Sequence, residues 1–576
     1  MIYKKDAIDI PVRVISVFFL GLVIVIIGRL FILQILQHDY YATFALDTHE
    51  IYKKLNPKRG TIYFQDTRTK EEYQAASMRE YYTVYAVPKE ITDKTKVEEY
   101  SEKISEILKF DEEEKENLKN KLFKIDDPYE PIAPKIDEIT KAKLENLELI
   151  GVYTLAMDYR YYPEINLASN VLGFYGSDSE GRMTGKYGLE GYFDKELSGQ
   201  TGFLMGEKTA GGSMITLADI NSVSAEDGKD LLLTIDRTLQ FKACERLKKG
   251  MEDYKATSAS LVMINPNTGA ILAMCSFPDF DPNNYSKVDD IRSYNNTGIF
   301  TPYEPGSVFK PITMSSALDL ELVEPYTYFE DPCKRSIGGF TIHNALDKCF
   351  GSQTMTGVLE NSINTGMIWV EEKLGIDEFV RYVEKFGFGK KTGITLNTEN
   401  AGDLSSLQQN GPVYGAVASF GQGITVTPLQ LAVAYCALAN NGKLLKPYIV
   451  EEIRYPSGKI EKTAVKVIDN VISSRASKLI TGMLVSVVDN GQARNASVPG
   501  YYIAGKTGTA QIAGVGGYTE ETNHTFVGFA PADNPKFVLV IKYEKPQRAW
   551  ADSTTAPTFA DIAKFTLQYY GIPEER

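Results

Sequence analysis

The sequence predicts an α+β protein with an N-terminal transmembrane helix, an elongated pedestal domain, and a C-terminal domain in which helices cover an antiparallel sheet. Three observations lead to this prediction. A long apolar segment lies close to the N-terminus, two pairs of strand-like segments lie far apart within residues 229–576, and a mainly helical stretch separates those pairs. A chain of 576 residues is also too long for one core of ordinary size, so we expect more than one domain.

The N-terminal apolar segment predicts a membrane anchor. Residues 14–28 carry no charge, and with the apolar residues on either side they reach the length of about 20 residues that crosses a bilayer. Positive charge is greater on the N-terminal side, which predicts that the N-terminus stays in the cytoplasm. We therefore expect a cytoplasmic tail over 1–9, a single cell-membrane span over 10–35 and an extracytoplasmic remainder. A cleavable signal peptide is the alternative, but no small-x-small cleavage site follows the apolar core.

Composition narrows the classes of function. The net charge is −13, whereas a domain that neutralises phosphates is usually basic, so we expect no nucleic-acid partner. The four histidines and five cysteines are scattered without the spacing of zinc ligands. We therefore expect neither a metal nor another cofactor.

Residues 36–228 form the predicted pedestal domain. Short strand-like pieces alternate with polar helices, and the highly charged segment 94–122 has apolar residues at helical spacing, which predicts a pair of amphipathic helices. Glycine-rich stretches at 173–191 and 199–212 indicate loops and hairpins. No group of residues here suggests catalysis, so we interpret the region as a spacer.

Residues 229–576 form the predicted C-terminal domain. One helix is expected after Asp236, and another begins with Thr427-Pro428-Leu429-Gln430, a capping box with proline at the first helical position. Turn residues separate the members of two predicted antiparallel strand pairs, whose strands are 259–264, 270–274, 525–530 and 537–543.

The first motif that carries chemistry is Ser307-Val308-Phe309-Lys310, the one Ser-x-x-Lys in the chain. Pro305-Gly306 breaks the chain before it, and the apolar pattern then predicts the start of a helix, where Pro311 is tolerated. The spacing of three places the hydroxyl and the amine on one helix face. A serine becomes nucleophilic when a neighbouring base takes its proton, so Ser307 and Lys310 are the candidate nucleophile and base.

Two further motifs follow. Ser362-Ile363-Asn364 lies inside a helix predicted over about 356–374, where the hydroxyl would relay a proton and the carboxamide would hold a substrate amide. Lys506-Thr507-Gly508-Thr509 follows the predicted strand 501–504. A strand edge with these residues would bind a substrate carboxylate, and Gly508 would let a peptide approach the backbone closely.

Lys-Thr-Gly occurs twice in the chain. Lys391-Thr392-Gly393 lies in a glycine-rich stretch, beside another lysine and without a preceding strand. A carboxylate-binding edge needs rigid support, because catalytic groups must hold their positions closely. We therefore assign the active-site role to Lys506 and predict a surface turn at Lys391.

Ser-x-x-Lys, Ser-x-Asn and Lys-Thr-Gly in this order are the signature of penicillin-binding proteins and the related β-lactamases. The chain resembles a class B (monofunctional) penicillin-binding protein over almost its full length. Further stretches that are similar to the family are Pro57-Lys58-Arg59-Gly60-Thr61-Ile62, Arg160-Tyr161-Tyr162-Pro163, Gly188-Leu189-Glu190-Gly191, Leu233-Thr234-Ile235-Asp236, Tyr303-Glu304-Pro305-Gly306-Ser307 and Ser419-Phe420-Gly421-Gln422-Gly423. One departure is Phe64-Gln65-Asp66, where the family usually has Asp-Arg.

The resemblance implies a dimerisation-type pedestal over 36–228 and a transpeptidase domain with a five-stranded sheet over 229–576. It implies a peptidoglycan D,D-transpeptidase that takes stem peptides ending in D-Ala-D-Ala as donors and a stem-peptide amine as acceptor, with β-lactams as covalent inhibitors. The implied catalytic residues are Ser307, Lys310, Ser362, Asn364 and Lys506, and the implied substrate-binding residues are Thr507, Gly508 and Thr509.

The implied roles place two demands on the site. Lys310 must be neutral to act as base, which requires burial or a nearby cation such as Lys506. The backbone N–H groups of Ser307 and Thr509 would form an oxyanion hole.

Other functions share the three motifs. A D,D-carboxypeptidase and a β-lactamase are alternatives, and so is a membrane-bound β-lactam sensor or scaffold that is acylated without turnover. The pedestal and anchor argue against a secreted β-lactamase, a sensor would carry more membrane spans, and no Glu-Asp-x-x-Phe segment of a bifunctional glycosyltransferase is present. The resemblance implies a glycosyltransferase partner in the cell-division or the elongation (cell-shape) machinery, and the pedestal and segment 517–529 favour the division group.

The cysteines give one further prediction. Cys333 and Cys349 lie 16 positions apart in a polar segment on the predicted extracytoplasmic side, which favours a disulfide that would stabilise the fold by about 3 kcal/mol. Two unpaired thiols are the alternative. Cys244, Cys275 and Cys436 lie in apolar runs, and we expect them to be core residues.

Overall fold

The computed structural model describes residues 9–31, 50–124, 126–207, 221–514 and 517–576. The chain divides into two units, one with the described residues of Met1–Lys58 and Ser198–Gly228 and the other with Arg59–Leu197 and Lys229–Arg576. The second unit therefore combines most of the predicted 36–228 domain with all of the predicted 229–576 domain.

The strands, in chain order, are β1 (Glu50–Leu55), β2 (Ile62–Gln65), β3 (Glu72–Ala86), β4 (Glu130–Ile136), β5 (Val152–Tyr161), β6 (Phe174–Ser177), β7 (Met183–Lys186), β8 (Gly202–Glu207), β9 (Asn221–Val223), β10 (Asp230–Asp236), β11 (Ser258–Ile264), β12 (Ile271–Phe277), β13 (Tyr328–Glu330), β14 (Lys334–Ile337), β15 (Phe340–His343), β16 (Ser352–Thr354), β17 (Lys443–Leu445), β18 (Val450–Arg454), β19 (Ile460–Lys462), β20 (Val467–Asn470), β21 (Ala504–Gly514), β22 (Gly517–Ala530) and β23 (Phe537–Glu544).

The α-helices are α1 (Asp9–Phe31), α2 (Val97–Leu108), α3 (Glu112–Leu122), α4 (Glu138–Glu145), α5 (Ser169–Leu172), α6 (Gly188–Tyr192), α7 (Asp194–Ser198), α8 (Arg237–Asp253), α9 (Thr297–Phe300), α10 (Lys310–Asp319), α11 (Met355–Glu360), α12 (Asn364–Leu374), α13 (Ile376–Lys385), α14 (Pro412–Ala418), α15 (Pro428–Ala439), α16 (Ser474–Asp489) and α17 (Thr555–Tyr569).

Capping residues set the starts of several predicted helices. The Asp236 carboxylate accepts a hydrogen bond from the Leu239 N–H and begins α8. Thr427 and Gln430 form the predicted capping box of α15. The charged segment 94–122 contains the predicted pair α2 and α3. These helices confirm the predictions made from capping residues and apolar spacing. The two predicted strand pairs are also present, as β11 with β12 and β22 with β23.

The predicted anchor falls partly outside the described residues. Helix α1 covers most of the predicted span, whereas residues 32–35 and residues 1–8 of the predicted tail are not described. Within the described part of the chain, no helix reaches the length and apolar character that a membrane crossing requires.

In the first unit, β8 pairs with both β1 and β9 in a small antiparallel sheet. In the second unit, a mixed sheet has the order β19-β18-β10-β2-β3-β4, with β5 paired to β3. Strand β10 is parallel to β2 and antiparallel to β18, so residues from both predicted domains share this sheet. Gln65, at the departure from the family pattern, donates its side-chain amide to the Leu233 carbonyl at 2.8 Å.

Three of the family-like stretches meet at a buried ion cluster. The Glu190 carboxylate accepts from Arg59 at 2.6 Å and from Arg160 at 2.7 Å, and each of these side chains is at most 3% exposed. Arg59 also contacts Asp194 at 2.7 Å, and the Tyr162 hydroxyl donates to Glu190 at 3.2 Å. The cluster links segments that lie more than 100 residues apart in the chain, since Arg59 and Glu190 are 131 positions apart.

The sheet that carries the site has the order β12-β11-β23-β22-β21, and every neighbouring pair is antiparallel. Tyr543 of β23 contacts α8 through the Leu247 carbonyl and α17 through the Thr558 hydroxyl. Side chains alternate along a strand, so the neighbouring Lys542 faces the other side, where it lies 4.5 Å from the centre of the Tyr303 ring. The predicted five-stranded sheet with helical cover is confirmed.

Two disulfides are present, and one of them was not predicted. Cys333 pairs with Cys349, which confirms the prediction. Cys275 is buried in the core as expected, and Cys244 is partly buried against it. The disulfide between them was not predicted; α8 lies on β12 and brings their Cα atoms to 5.5 Å, within bridging distance. Cys436, the fifth cysteine, is buried as expected, and its thiol is free.

Candidate active site

Ser307 lies in a tight turn that leads into α10. Gly306–Phe309 form a 3-10 helix, α10 starts at Lys310, and Pro311 occupies its first turn. Gly421 approaches this turn so closely that a Cβ on Gly421 would lie 2.2 Å from the Gly306 carbonyl oxygen. The φ of Gly421 is +83°. The Gly306 N–H donates to the Gly421 carbonyl at 2.9 Å, which holds the turn in place. The Ser307 side chain is left half-buried at the surface of a cleft.

Lys310 is fully buried one helical turn beyond Ser307. Its side-chain Nζ donates to the Ser362 carbonyl at 2.6 Å and to the Asn364 Oδ1 at 2.8 Å, and it lies within hydrogen-bond distance of the Ser362 Oγ, at 3.1 Å. Burial, and secondly the positive charge of Lys506, hold the pKa of Lys310 well below its usual value. Burial and the neighbouring positive charge therefore both favour a neutral amine at Lys310.

Ser362 does not lie inside a helix, which corrects the prediction. The predicted helix over 356–374 is two helices, α11 and α12, that are separated at residues 361–363. Ser362 adopts a φ of +55°, a backbone conformation that residues other than glycine rarely take. This break turns both the carbonyl and the hydroxyl of Ser362 toward Lys310, and it places the Ser362 and Ser307 hydroxyl oxygens 3.0 Å apart.

Lys506 is the second buried lysine of the site. It lies on β21, which starts at Ala504 and includes the Lys-Thr-Gly motif. The observed strand therefore lies farther along the chain than the strand predicted over 501–504. Its ammonium donates to the Ser362 Oγ and to the Thr507 carbonyl, each at 3.2 Å. Burial lowers its pKa to about 7. Ser362 thus contacts Ser307 and both lysines.

Gly508 and Thr509 bring β21 against the nucleophile turn. A Cβ at Gly508 would lie 3.0 Å from both the Pro305 carbonyl oxygen and the Val308 side chain. The missing side chain therefore admits the segment that carries Ser307, a contact that the sequence did not predict. The Thr509 hydroxyl accepts from the Ala551 N–H at 3.1 Å.

A cleft of about 120 Å³ opens beside Ser307. Ser307, Ser362, Asn364, Thr507 and Thr509 line it, as the motifs predict. Residues without an assigned role in the sequence-based prediction also line it, among them Ala345, Phe420, Gln422, Gln492 and Trp550. Phe420 and Gln422 belong to a stretch that is similar to the family, and this similarity could have identified them as site residues. Ala345, Gln492 and Trp550 lie outside every motif, so the sequence gives no signal for them.

The second Lys-Thr-Gly lies elsewhere. Lys391 is exposed in a loop after α13, and the Glu399 carboxylate accepts from the Thr392 and Gly393 N–H groups. The predicted surface position of Lys391 is confirmed. Within the described ranges, no group of three or more His, Cys, Asp and Glu side chains is placed to hold a metal ion.

Family models match two parts of the chain. Residues 259–564 match the penicillin binding protein transpeptidase domain, and residues 54–233 match the penicillin-binding protein dimerisation domain. The first match covers more than half of the 576 residues and contains all three motifs.

Individual proteins support the same assignment. The chain is 33% identical to Stage V sporulation protein D of Bacillus subtilis over 97% of its length and 86% of that protein's. It is 31% identical to the peptidoglycan D,D-transpeptidase FtsI of Escherichia coli K12, over 74% of this chain and 70% of that one. The crystal structure of penicillin binding protein 3 from Mycobacterium tuberculosis with aztreonam superposes with a TM-score of 0.69 at 26% identity, covering 91% of this chain and 98% of the other. The chain therefore belongs to the class B penicillin-binding protein family.

Proposed function

We propose that this chain is a peptidoglycan D,D-transpeptidase that cross-links stem peptides through an acyl-serine intermediate on Ser307. The observation that carries the proposal is the connection of Ser307 through one hydroxyl, that of Ser362, to two fully buried lysines. A structural serine needs no such arrangement, whereas a nucleophilic serine needs a neighbouring base that takes its proton.

Acylation begins with proton removal from Ser307. The neutral Lys310 takes this proton through the Ser362 hydroxyl, which lies 3.0 Å from Ser307 and 3.1 Å from Lys310. The Ser307 oxygen then forms a bond to the carbonyl carbon of the penultimate D-alanine. The peptide bond to the last D-alanine breaks, and the same relay returns the proton to the leaving amine.

Lys506 and its strand hold the donor peptide. Strand β21 is at the edge of the five-stranded sheet, beside the Ser307 turn, where an extended peptide can add to it. The donor ends in a carboxylate, and the Lys506 ammonium supplies the opposite charge. A bound carboxylate also favours the protonated form of Lys506, whose pKa is otherwise lowered by burial.

An amine of a second stem peptide then attacks the carbonyl carbon of the acyl-enzyme and forms the amide bond of the cross-link. The ester bond to Ser307 breaks, and the proton that the amine loses returns to the Ser307 oxygen. A β-lactam enters the same cleft and acylates Ser307, and the Mycobacterium tuberculosis relative was solved in complex with one such compound, aztreonam. The names of the relatives, peptidoglycan D,D-transpeptidases among them, support this substrate class.

We also propose a location and a working context for the enzyme. The uncharged segment 14–28 supports a single membrane anchor with a cytoplasmic N-terminus and an extracytoplasmic catalytic domain. The stem peptides that a transpeptidase joins are attached to glycan strands, which a glycosyltransferase makes. A glycosyltransferase of the division machinery is therefore the proposed partner, and one of the elongation machinery is the alternative. A fluorescent fusion that concentrates at division sites supports this proposal, and an even distribution along the cell envelope contradicts the division role.

Steady-state turnover tests the reaction itself. The purified enzyme is given a D-Ala-D-Ala donor peptide and an added acceptor amine, and D-alanine and cross-linked product are both quantified. A transpeptidase forms cross-linked product in proportion to the acceptor. A carboxypeptidase releases D-alanine without cross-links, and a sensor or scaffold releases at most one equivalent of D-alanine.

A further inference from the structure

The segment between β13 and β16 lies against the Ser-x-Asn motif. It contains the hairpin of β14 and β15 and is closed by the Cys333–Cys349 disulfide. Ala345 in this segment lines the active-site cleft. The sequence motifs assign no role to its polar residues.

One carboxylate, that of Asp331, holds the base of the segment. Asp331 is 6% exposed and accepts hydrogen bonds from the Cys333 N–H at 3.0 Å, the Phe350 N–H at 2.9 Å, the Asn344 side-chain amide at 3.0 Å and the Thr365 hydroxyl at 2.6 Å. Burial alone would raise the pKa of Asp331, but these hydrogen bonds outweigh it and keep the pKa below its usual value. Asp331 is therefore an ionised hydrogen-bond acceptor at neutral pH.

The Asp331 cluster continues into α12. Asn344 is 3% exposed and Thr365 is fully buried. The Asn344 Oδ1 accepts from the Thr365 N–H at 3.1 Å, and so satisfies one of the unpaired donors at the start of the helix. Asn364, the first residue of α12, is thereby held at a fixed position beside the segment.

The segment also fixes which end of the Asn364 carboxamide faces Lys310. The Asn364 Nδ2 donates to the His343 carbonyl at 3.0 Å, and its Oδ1 accepts from the Lys310 Nζ at 2.8 Å. A carboxamide has a donor end and an acceptor end. Because His343 offers an acceptor, the donor end turns to His343 and the acceptor end is left for Lys310.

We propose that Asp331, through Asn344 and Thr365, is a positioning residue for acylation: it holds the 331–350 segment so that the His343 carbonyl orients Asn364 toward Lys310. This inference rests on the proposed acyl transfer at Ser307. Asp331 lies outside the cleft lining and acts on the reaction only through its neighbours.

Substitution of Asp331 tests the proposal. Asp331→Asn keeps the shape of the side chain but turns an NH₂ group toward neighbours that are themselves donors. Benzylpenicillin acylation of the full chain is followed by stopped flow, which separates the affinity of the first complex from the acylation rate at saturation. We expect the acylation rate of the folded enzyme to fall at least tenfold while the affinity stays within twofold. The matched control is Glu330→Gln, an exposed carboxylate next to Asp331 in the chain, which leaves both constants unchanged.

A second pair of variants covers the case in which Asp331→Asn does not fold. Thr365→Ser keeps the hydroxyl that donates to Asp331, and Thr365→Val keeps the shape and removes it. We expect the serine variant to acylate at the wild-type rate and the valine variant to acylate severalfold more slowly. Equal rates for serine and valine, or an Asp331→Asn enzyme that folds and acylates within twofold of wild type, overturn the proposal. A wild-type enzyme that is not acylated at Ser307 would instead refute the proposed function.

Discussion

At the scale of single residues, the proposed reaction depends on two lysines in different charge states. Lys310 must lose its proton to accept the one from Ser307, whereas Lys506 must keep its proton to attract a carboxylate. Burial lowers the pKa of both, and the charge of Lys506 lowers that of Lys310 further. Lys310 is therefore the lysine that becomes neutral first as the pH rises.

These charge states predict a bell-shaped pH dependence. The second-order rate constant for benzylpenicillin acylation reports the free enzyme. It rises with pH as Lys310 loses its proton, and it falls again with a midpoint near pH 7 as Lys506 loses its own. Stopped-flow measurements from pH 4 to pH 9 check both limbs, and a rate constant that stays constant from pH 7 upward contradicts the role of Lys506.

Alanine at each of the two candidate lysines gives a direct comparison. Lys506→Ala removes the buried cation at the Ser362 hydroxyl and should slow acylation by a factor of about 10² or more, the size of effect that loss of one preorganised charge or donor has in other acyl-transfer enzymes. Lys391→Ala removes an exposed side chain in a distant loop and should leave the rate unchanged. The reverse pattern would mean that the wrong Lys-Thr-Gly has been assigned to the site.

The chemistry-bearing residues were predictable from the sequence, but their surroundings were not. Ser307, Lys310 and Lys506 stand in short motifs with a fixed order. Gln492 and Trp550 reach the cleft through contacts between distant parts of the chain, which leave no local pattern. The φ of +55° at Ser362 likewise depends on tertiary packing, since serine itself disfavours this conformation.

At the scale of elements, the helices and strands that carry the site follow local signals closely. Asp236 and Thr427 cap the predicted helices α8 and α15, and turn residues separate the strands of the predicted pairs. The break between α11 and α12 is the main departure. Apolar periodicity continues through residues 361–363, so the pattern alone indicates one helix where the structure has two.

The contact between α8 and β12 makes a disulfide at a position where the sequence indicates two core residues. Removing it with Cys244→Ser and Cys275→Ser opens a loop that spans 31 positions, which should lower the free energy of unfolding by about 3–4 kcal/mol. Urea denaturation of the wild-type chain and the double variant measures the difference. Non-reducing peptide mapping is the control for pairing, and free thiols at both positions in the oxidised protein would contradict the assignment.

At the scale of the whole molecule, the buried cluster around Glu190 connects stretches that the sequence identifies as similar to the family. The resemblance gives no physical role for their charged residues. Arg59 and Arg160 both lie with Glu190 at 3% exposure or less. A buried charge that loses its partner is strongly destabilising, because the remaining charge stays away from water. The cluster thus gives a physical role to buried charged residues that do not line the active-site cleft.

Replacement of Glu190 tests this account. Glu190→Gln keeps the shape and removes the charge shared by two buried arginines, so the free energy of unfolding should fall by about 3–5 kcal/mol. The matched control is Glu180→Gln, whose surface partner Arg182 is 69% exposed, and it should show no measurable change in urea denaturation. Equal stability of the two variants would show that the cluster contributes little to folding.

The domain plan could be predicted only in outline. Composition and strand patterns separate residues 36–228 from 229–576, but the parallel pairing of β2 with β10 joins the two regions in one sheet. A parallel pair between segments about 170 positions apart leaves no turn signal in the sequence, since Thr61 and Asp230 at its edge are 169 positions apart. The pairing of these two regions in one sheet could therefore be seen only in the structure.

The covalent assignment of Ser307 is the central claim, and one measurement tests it most directly. The purified chain is incubated with a fluorescent penicillin, and the labelled peptide is mapped by mass spectrometry. We expect a single penicilloyl adduct, on the peptide that contains Ser307, and no adduct in the Ser307→Ala protein with an unchanged unfolding temperature. A Ser307→Ala protein that labels at full strength, or an adduct on any other residue, would contradict the account.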